Sequence, residues 1–90
     1  MISVYLFHAE WCHNCPIAEK VFEEIKSELD SDDVRFNSVD VESDEGVDLS
    51  CLYQVRNVPT MIIVKNKRVV ERVSGIRSKN EIKQIIEKWK

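Results

Sequence analysis

Glycine and proline are scarce, with two of each in 90 residues. That scarcity, together with 43% apolar and 32% charged residues, excludes low-complexity and disordered chains and points to a globular one. No apolar run approaches the length of a membrane span. The partly apolar opening, Met1 to Ala9, lacks a basic leader and is too short for a signal peptide, so no targeting segment is expected. A basic excess is also missing. The net charge is −3, which gives no reason to expect nucleic acid or an anionic membrane as partner. Cysteine is limited to three residues, an odd number that argues against a fully paired disulfide framework. The expected compartment is the cytoplasm, where a cysteine pair is catalytic or metal-binding before it is a staple. The length implies one small domain, residues 1–90, with one core of modest stability.

What the chain does have is Trp11-Cys12-His13-Asn14-Cys15-Pro16. Two thiols stand three positions apart, after an apolar run and before an amphipathic helical pattern. A Cys-x-x-Cys pair at a strand-to-helix junction suits reversible dithiol–disulfide exchange. At a helix opening, the first sulfur meets unsatisfied N–H groups and the positive end of the helix dipole, which favours thiolate over thiol. The second, one turn later, can attack a mixed disulfide formed on the first. The competing reading is structural zinc. Zinc takes four ligands, and only His8, His13 and Cys51 could join the pair, at spacings that form no second ligand pair. Exchange is therefore preferred, with no metal expected.

Around the motif the chain alternates strands and helices. Ile2 to His8 is rich in strand formers and reads as a buried strand. Pro16 suits an early helix position. Ile17, Val21, Phe22, Ile25 and Leu29 then recur at helical spacing, and Asp30-Ser31-Asp32-Asp33 ends that helix in a polar turn. Val34 to Val41 reads as a second strand, parallel to the first through a helical crossover. Acids at 40, 42, 44, 45 and 48 read as a solvated loop and helix start rather than a surface for a basic partner. Val47 to Val55 is a short helix candidate with Val47, Cys51 and Val55 on one line. Thr60 to Lys65 reads as a central strand covered on both faces. Asn66-Lys67 forms a two-residue turn into an antiparallel edge strand, Arg68 to Ser74, marked by Arg68, Glu71 and Arg72. Ser78-Lys79-Asn80-Glu81 is a capping box, and Ile82, Ile85, Ile86 and Trp89 mark one face of a last helix. The expected class is α/β, in the order β-α-β-α-β-β-α.

Three motifs in this order carry a family resemblance: Ala9-Glu10-Trp11-Cys12-x-x-Cys15, Val55-Arg56-Asn57-Val58-Pro59-Thr60, and Gly75 after the last strand. In these the chain resembles the thioredoxin family, from the first strand to Trp89 and without the extra N-terminal strand and helix of longer members. Its size is closer to glutaredoxins and short thioredoxin-like proteins. The resemblance implies the thioredoxin fold, a central four-stranded mixed sheet flanked by helices. It further implies Cys12 as exposed nucleophile and Cys15 as buried resolving thiol. Val58-Pro59 would be a cis peptide beside the sulfurs, and the Val58 backbone would pair with an extended substrate. Trp11 would stand as a flat wall at the site, with His13, Asn14 and Gly75 completing the substrate-binding surface.

Some positions depart from the family pattern. Leu6 stands where thioredoxins carry a buried acid, Ser38 where a lysine often pairs with it, and His8 where a tryptophan is frequent. His13-Asn14 replaces the usual dipeptide between the cysteines. The double glycine with which glutaredoxins hold glutathione is absent, and Val-Pro-Thr is the thioredoxin form of the proline loop. His8 is expected at the rim, and it is also the nearest candidate base for Cys15 once the acid is gone, ahead of Glu10 or a water relay. His13 either stabilises the Cys12 thiolate or is an exposed loop residue. Cys51 is expected in the core, as a small hydrophobe rather than a regulatory thiol, and Trp89 likewise.

The expected activity is reduction of protein disulfides by a monomer whose only redox centre is the Cys12–Cys15 pair, with no further cofactor. Thioredoxin reductase or glutathione would restore the dithiol. The alternatives are a glutaredoxin-like protein recharged by glutathione and a protein-docking module on the same fold.

Overall fold

A computed structural model describes residues 1–90. The elements follow the expected order: β1 (Ile2–His8), α1 (Cys15–Leu29), β2 (Val34–Asp40), α2 (Asp44–Leu52), β3 (Thr60–Lys65), β4 (Arg68–Ser74) and α3 (Lys79–Trp89). They build one four-stranded sheet in the order β2-β1-β3-β4. β1 runs parallel to β2 and antiparallel to β3, and β3 pairs antiparallel with β4. This is the mixed sheet of the thioredoxin fold.

The two-residue period of β1 divides the core. Ile2, Val4 and Leu6 face one side, where Phe22 and Ile25 of α1 and Ile82 and Ile86 of α3 close over them. Phe7 faces the other side with Ile62 and Val64, under Leu49 of α2 and the neighbouring Tyr53. β3 is buried on both faces along nearly its whole length, as its apolar run predicts. Leu6 is fully buried among aliphatic and aromatic side chains, so no charge occupies that position.

Local signals account for most boundaries. α1 begins at Cys15 with Pro16 in its first turn, where a missing N–H costs nothing. Ser78 caps α3 by accepting from the Glu81 N–H at 3.2 Å. Asn66 and Lys67 both adopt positive φ, 52° and 69°, the conformation a two-residue hairpin turn needs. The Trp89 indole packs against the core and donates to Glu71 Oε1 at 3.1 Å, tying α3 to the edge strand.

Several expectations need correction. α2 covers Asp44–Leu52 rather than Val47 to Val55. Its start is set by Ser43, whose Oγ accepts from the Gly46 N–H at 2.9 Å and donates to the Asp40 carbonyl at 2.7 Å. Asp44 and Glu45 sit in the first turn, where the dipole favours negative charge. The five acids of the stretch are all exposed, which fits a solvated loop and helix start. Of the line Val47, Cys51, Val55, only Val55, beyond the end of α2, packs on the core. Val47 and Cys51 are exposed, and Leu49 and Tyr53 do the packing. Cys51 is therefore a surface thiol. In α1 the buried positions are Cys15, Ala18, Phe22 and Ile25, while Ile17 is exposed. The helical period holds, but the small Ala18, not Ile17, lies under the sheet.

Gly46 marks a close approach. A Cβ built there would lie 1.7 Å from the Asp40 carbonyl oxygen, which is main chain and cannot swing aside. Helix propensity alone would favour Gly46→Ala by about 1 kcal/mol. The clash reverses the sign, and Gly46→Ala is expected to lose about 1–3 kcal/mol in urea denaturation.

Candidate active site

β1 delivers the chain to the site. Phe7 is fully buried and anchors its end, and Ala9 is buried just beyond. A tight turn follows, in which the Cys12 N–H donates to the Ala9 carbonyl at 3.2 Å. Asn14 precedes the helix without capping it through its side chain. Its carbonyl accepts the helical N–H of Ala18 at 3.2 Å. Cys15 is thus the first helical residue, and Cys12 lies in front of the open N-terminus, where N–H groups lack helical partners.

The two sulfurs are free thiols packed together with Ala9, against Val41 and Val58. They differ in access. Cys15 is 1% exposed and Cys12 is 9% exposed. The expectation of an exposed Cys12 is corrected in degree: it is the more open of the two, but most of its surface is covered. It reaches solvent in a cleft shared with His8, Glu10, Pro16, Glu19 and Asp40.

The proline loop closes the other side. Val58–Pro59 is cis, and Val58 packs on the cysteine cluster. Two bonds hold the loop: the Gly75 N–H donates to the Pro59 carbonyl at 2.9 Å, and Thr60 Oγ1 donates to the Asn57 carbonyl at 2.6 Å. Gly75 has φ +78°, a conformation glycine adopts without cost. Arg72 donates to the Tyr53 and Gln54 carbonyls, fixing the chain as it leaves α2 for the loop. Next to the loop an apolar groove is lined by Trp11, Val41, Val47, Cys51, Val55 and Val58. Trp11 stands 66% exposed at its edge.

Among the residues singled out by sequence, Cys12, Cys15 and Val58 lie in contact, Gly75 reaches them through Pro59, and Trp11 shares the groove with Val58. His13 and Asn14 are exposed on the turn. His8 lies at the rim, half-buried, with Nδ1 3.6 Å from Glu19 Oε1. Sequence reasoning missed Glu19. Its signal was its place four residues after Cys15, which puts it on the same helix face. The surface Cys51 was missed for lack of the true start of α2.

Burial pushes the Cys15 thiol up to about 11. The Cys12 thiol as hydrogen-bond partner adds to this, and a main-chain contact with Ala9 works the other way. Negative charge on Cys12 or Glu19 raises it further. The reduced fold therefore holds this proton more tightly than the unfolded chain, where the value is near 9.0. As pH rises between the two values the unfolded state loses its proton first, so stability falls. The reduced protein is expected to lose about 2–3 kcal/mol between about pH 8 and about pH 11 through this group. Urea denaturation against Cys15→Ser, which lacks the titration, isolates the loss.

Comparison with known proteins agrees with the geometry. A family model described as thioredoxin matches residues 2–88. A thioredoxin of Mycoplasmoides gallisepticum is 34% identical over 80 residues, covering 89% of this chain and 76% of the relative. Among solved structures, a mutant thioredoxin from Halobacterium salinarum superposes with a TM-score of 0.84 at 31% identity, covering 98% of this chain and 74% of that one. The thioredoxin NaTrxh from Nicotiana alata gives 0.84 at 32%, covering 99% and 73%. With the fold, the paired thiols and the proline loop in place, the chain belongs to the thioredoxin family of thiol–disulfide oxidoreductases.

Proposed function

We propose that the protein reduces disulfides in other proteins, with Cys12 as nucleophile and Cys15 as resolving thiol. One observation carries the assignment of roles: two reduced cysteines are packed together at the head of α1, and only Cys12 opens to solvent. The accessible sulfur attacks a substrate disulfide and forms a mixed disulfide, releasing one substrate thiol. The buried sulfur then attacks Cys12. An internal Cys12–Cys15 bond forms, the second substrate thiol leaves, and the two electrons have passed to the substrate.

The groove beside Val58 supports a protein substrate. An extended segment laid there would pair with the Val58 main chain and bury apolar side chains against Trp11 and Val41. Thioredoxin reductase or glutathione returns the pair to the dithiol, a task suited to the reducing cytoplasm and a monomeric carrier. The Val-Pro-Thr loop and the thioredoxin relatives favour the thioredoxin-type cycle over recharging by glutathione.

Two measurements test this reading. In an insulin-reduction assay with dithiothreitol, Cys12→Ser should fall to background, while pre-reduced Cys15→Ser mixed with insulin after the dithiothreitol is removed should accumulate a covalent insulin adduct visible by non-reducing electrophoresis. No adduct, with wild-type rates in either variant, overturns the roles. The reduction potential of the pair is expected near about −270 mV, whereas about −200 to −230 mV would mark a glutaredoxin-like carrier.

A further inference from the structure

Cys15 must lose its proton to attack, since the thiolate and not the thiol is the nucleophile. Its site works against that. It is 1% exposed, packed beside Cys12, Ala9, Val41 and Val58, and the chain places Leu6 rather than a charged residue in the adjoining core. During the resolving step Cys12 is tied up in the mixed disulfide and cannot take the proton. Another group has to.

The cleft that Cys12 opens into, with Cys15 packed behind it, brings together four candidates: His8 at the end of β1, Glu10 on the turn, Glu19 on α1 and Asp40 at the end of β2. No lysine or arginine lines it. Glu10 and Asp40 are exposed, and Asp40 Oδ1 is engaged by the Glu42 N–H at 2.9 Å. His8 and Glu19 form a pair at 3.6 Å, with the histidine side chain 20% exposed. The main chain locks the position of His8. Its carbonyl accepts from the Val41 N–H at 2.9 Å, and it faces Asp40 in the β1–β2 register. Glu19 stands one turn beyond Cys15, close enough for its charge to act on that thiol.

We propose that His8, held by Glu19, is the proton acceptor for Cys15 in the resolving step, with Glu19 as its positioning residue. This rests on the exchange reading above. The proton leaves the Cys15 Sγ for the imidazole. The thiolate attacks the Cys12 Sγ, the Cys12–substrate bond breaks, and the substrate sulfur departs with the electron pair and takes up a proton. Chemistry selects the imidazole over the carboxylates. A neutral imidazole nitrogen is a stronger base than a carboxylate oxygen and so the better acceptor for a thiol proton. Electrostatics favours the same assignment. A bare Glu19 opposes a thiolate at Cys15, and an imidazolium formed against Glu19 cancels that charge as the thiolate appears.

The test uses the reduced protein and an excess of an aromatic disulfide that liberates a coloured thiol. Attack by Cys12 releases one equivalent and resolution by Cys15 releases a second, and stopped flow separates the two. In His8→Gln the second phase is expected to slow by roughly 10²-fold at pH 7. Its pH profile should change as well, because without the imidazole it follows the Cys15 thiol alone. Glu19→Gln, at a side chain that is 41% exposed, should slow the same phase by about tenfold, the loss of one charge-assisted contact. A second phase within about twofold of wild type in Glu19→Gln and His8→Gln, with an unmoved pH profile, overturns the proposal. If His8→Gln fails to fold, Glu19→Gln decides alone. Failure of the exchange reading looks different: the wild-type protein itself would release fewer than two equivalents.

Discussion

The active end of this molecule depends on β1 being paired along both edges. Its parallel partner β2 and antiparallel partner β3 hold it in the middle of the sheet. The register sets Phe7 opposite Thr60 and His8 opposite Asp40. The turn that leaves β1 with the cysteines must therefore stand beside the loop that enters β3 with Val58 and Pro59. The two segments are far apart in sequence, and no local interaction would bring them together. Burial drives the pairing. Phe7, Leu6, Ile62 and Ile63 are each fully removed from solvent, and a slip of one residue would turn each of them to the wrong face.

Around that pairing, the supports of the site are main-chain bonds more than side-chain ones. Ala9 accepts from Cys12, Pro59 from Gly75, and His8 from Val41. Such bonds tolerate sequence change, which fits a site whose flanking positions carry Leu6, His8 and Ser38. What the backbone cannot supply is charge. The side chains near the sulfurs are the short apolar ones of Ala9, Val41 and Val58, and the ionisable groups are pushed out to the rim.

Much of this could be read from the residues. The period-two and period-3.6 patterns gave the element order, and Asn66-Lys67 and Ser78 marked a turn and a helix start that the structure shows in their expected forms. The cysteine spacing and the Val-Pro-Thr loop pointed to residues that the fold packs together, Cys12, Cys15 and Val58. The misreadings have a common origin in phase. A stripe such as Val47, Cys51, Val55 has helical spacing whether or not it faces the core, and only the position of Ser43 and Gly46 decides which face turns inward. Gly46 was chosen by a contact with the Asp40 carbonyl, a distance that no pattern of hydropathy records. Ile17 misled in the same way, because Ala18 is small enough to sit where a larger side chain would not. The access of Cys12 and the partner of His8 arise where three elements meet, and such junctions have no signature within any one of them.

A tension runs through the arrangement. Burying Cys15 between the sheet and α1 adds apolar surface to the core and protects the thiol from adventitious oxidants. The same burial pushes its pKa up to about 11 and removes the water that would otherwise carry its proton away. Protection of the ground state is thus opposed to speed in the proposed resolving step. In the proposed cycle the rim resolves the conflict by location. A base within the core would need its own partner there and would cost stability when charged, whereas His8 at the end of β1 keeps one side in solvent and remains beside Glu19, one turn beyond Cys15. Placing ionisable groups at the mouth lets the interior stay apolar and lets the chemistry proceed, and it makes the end of the central strand the point where fold stability and redox rate are set against each other.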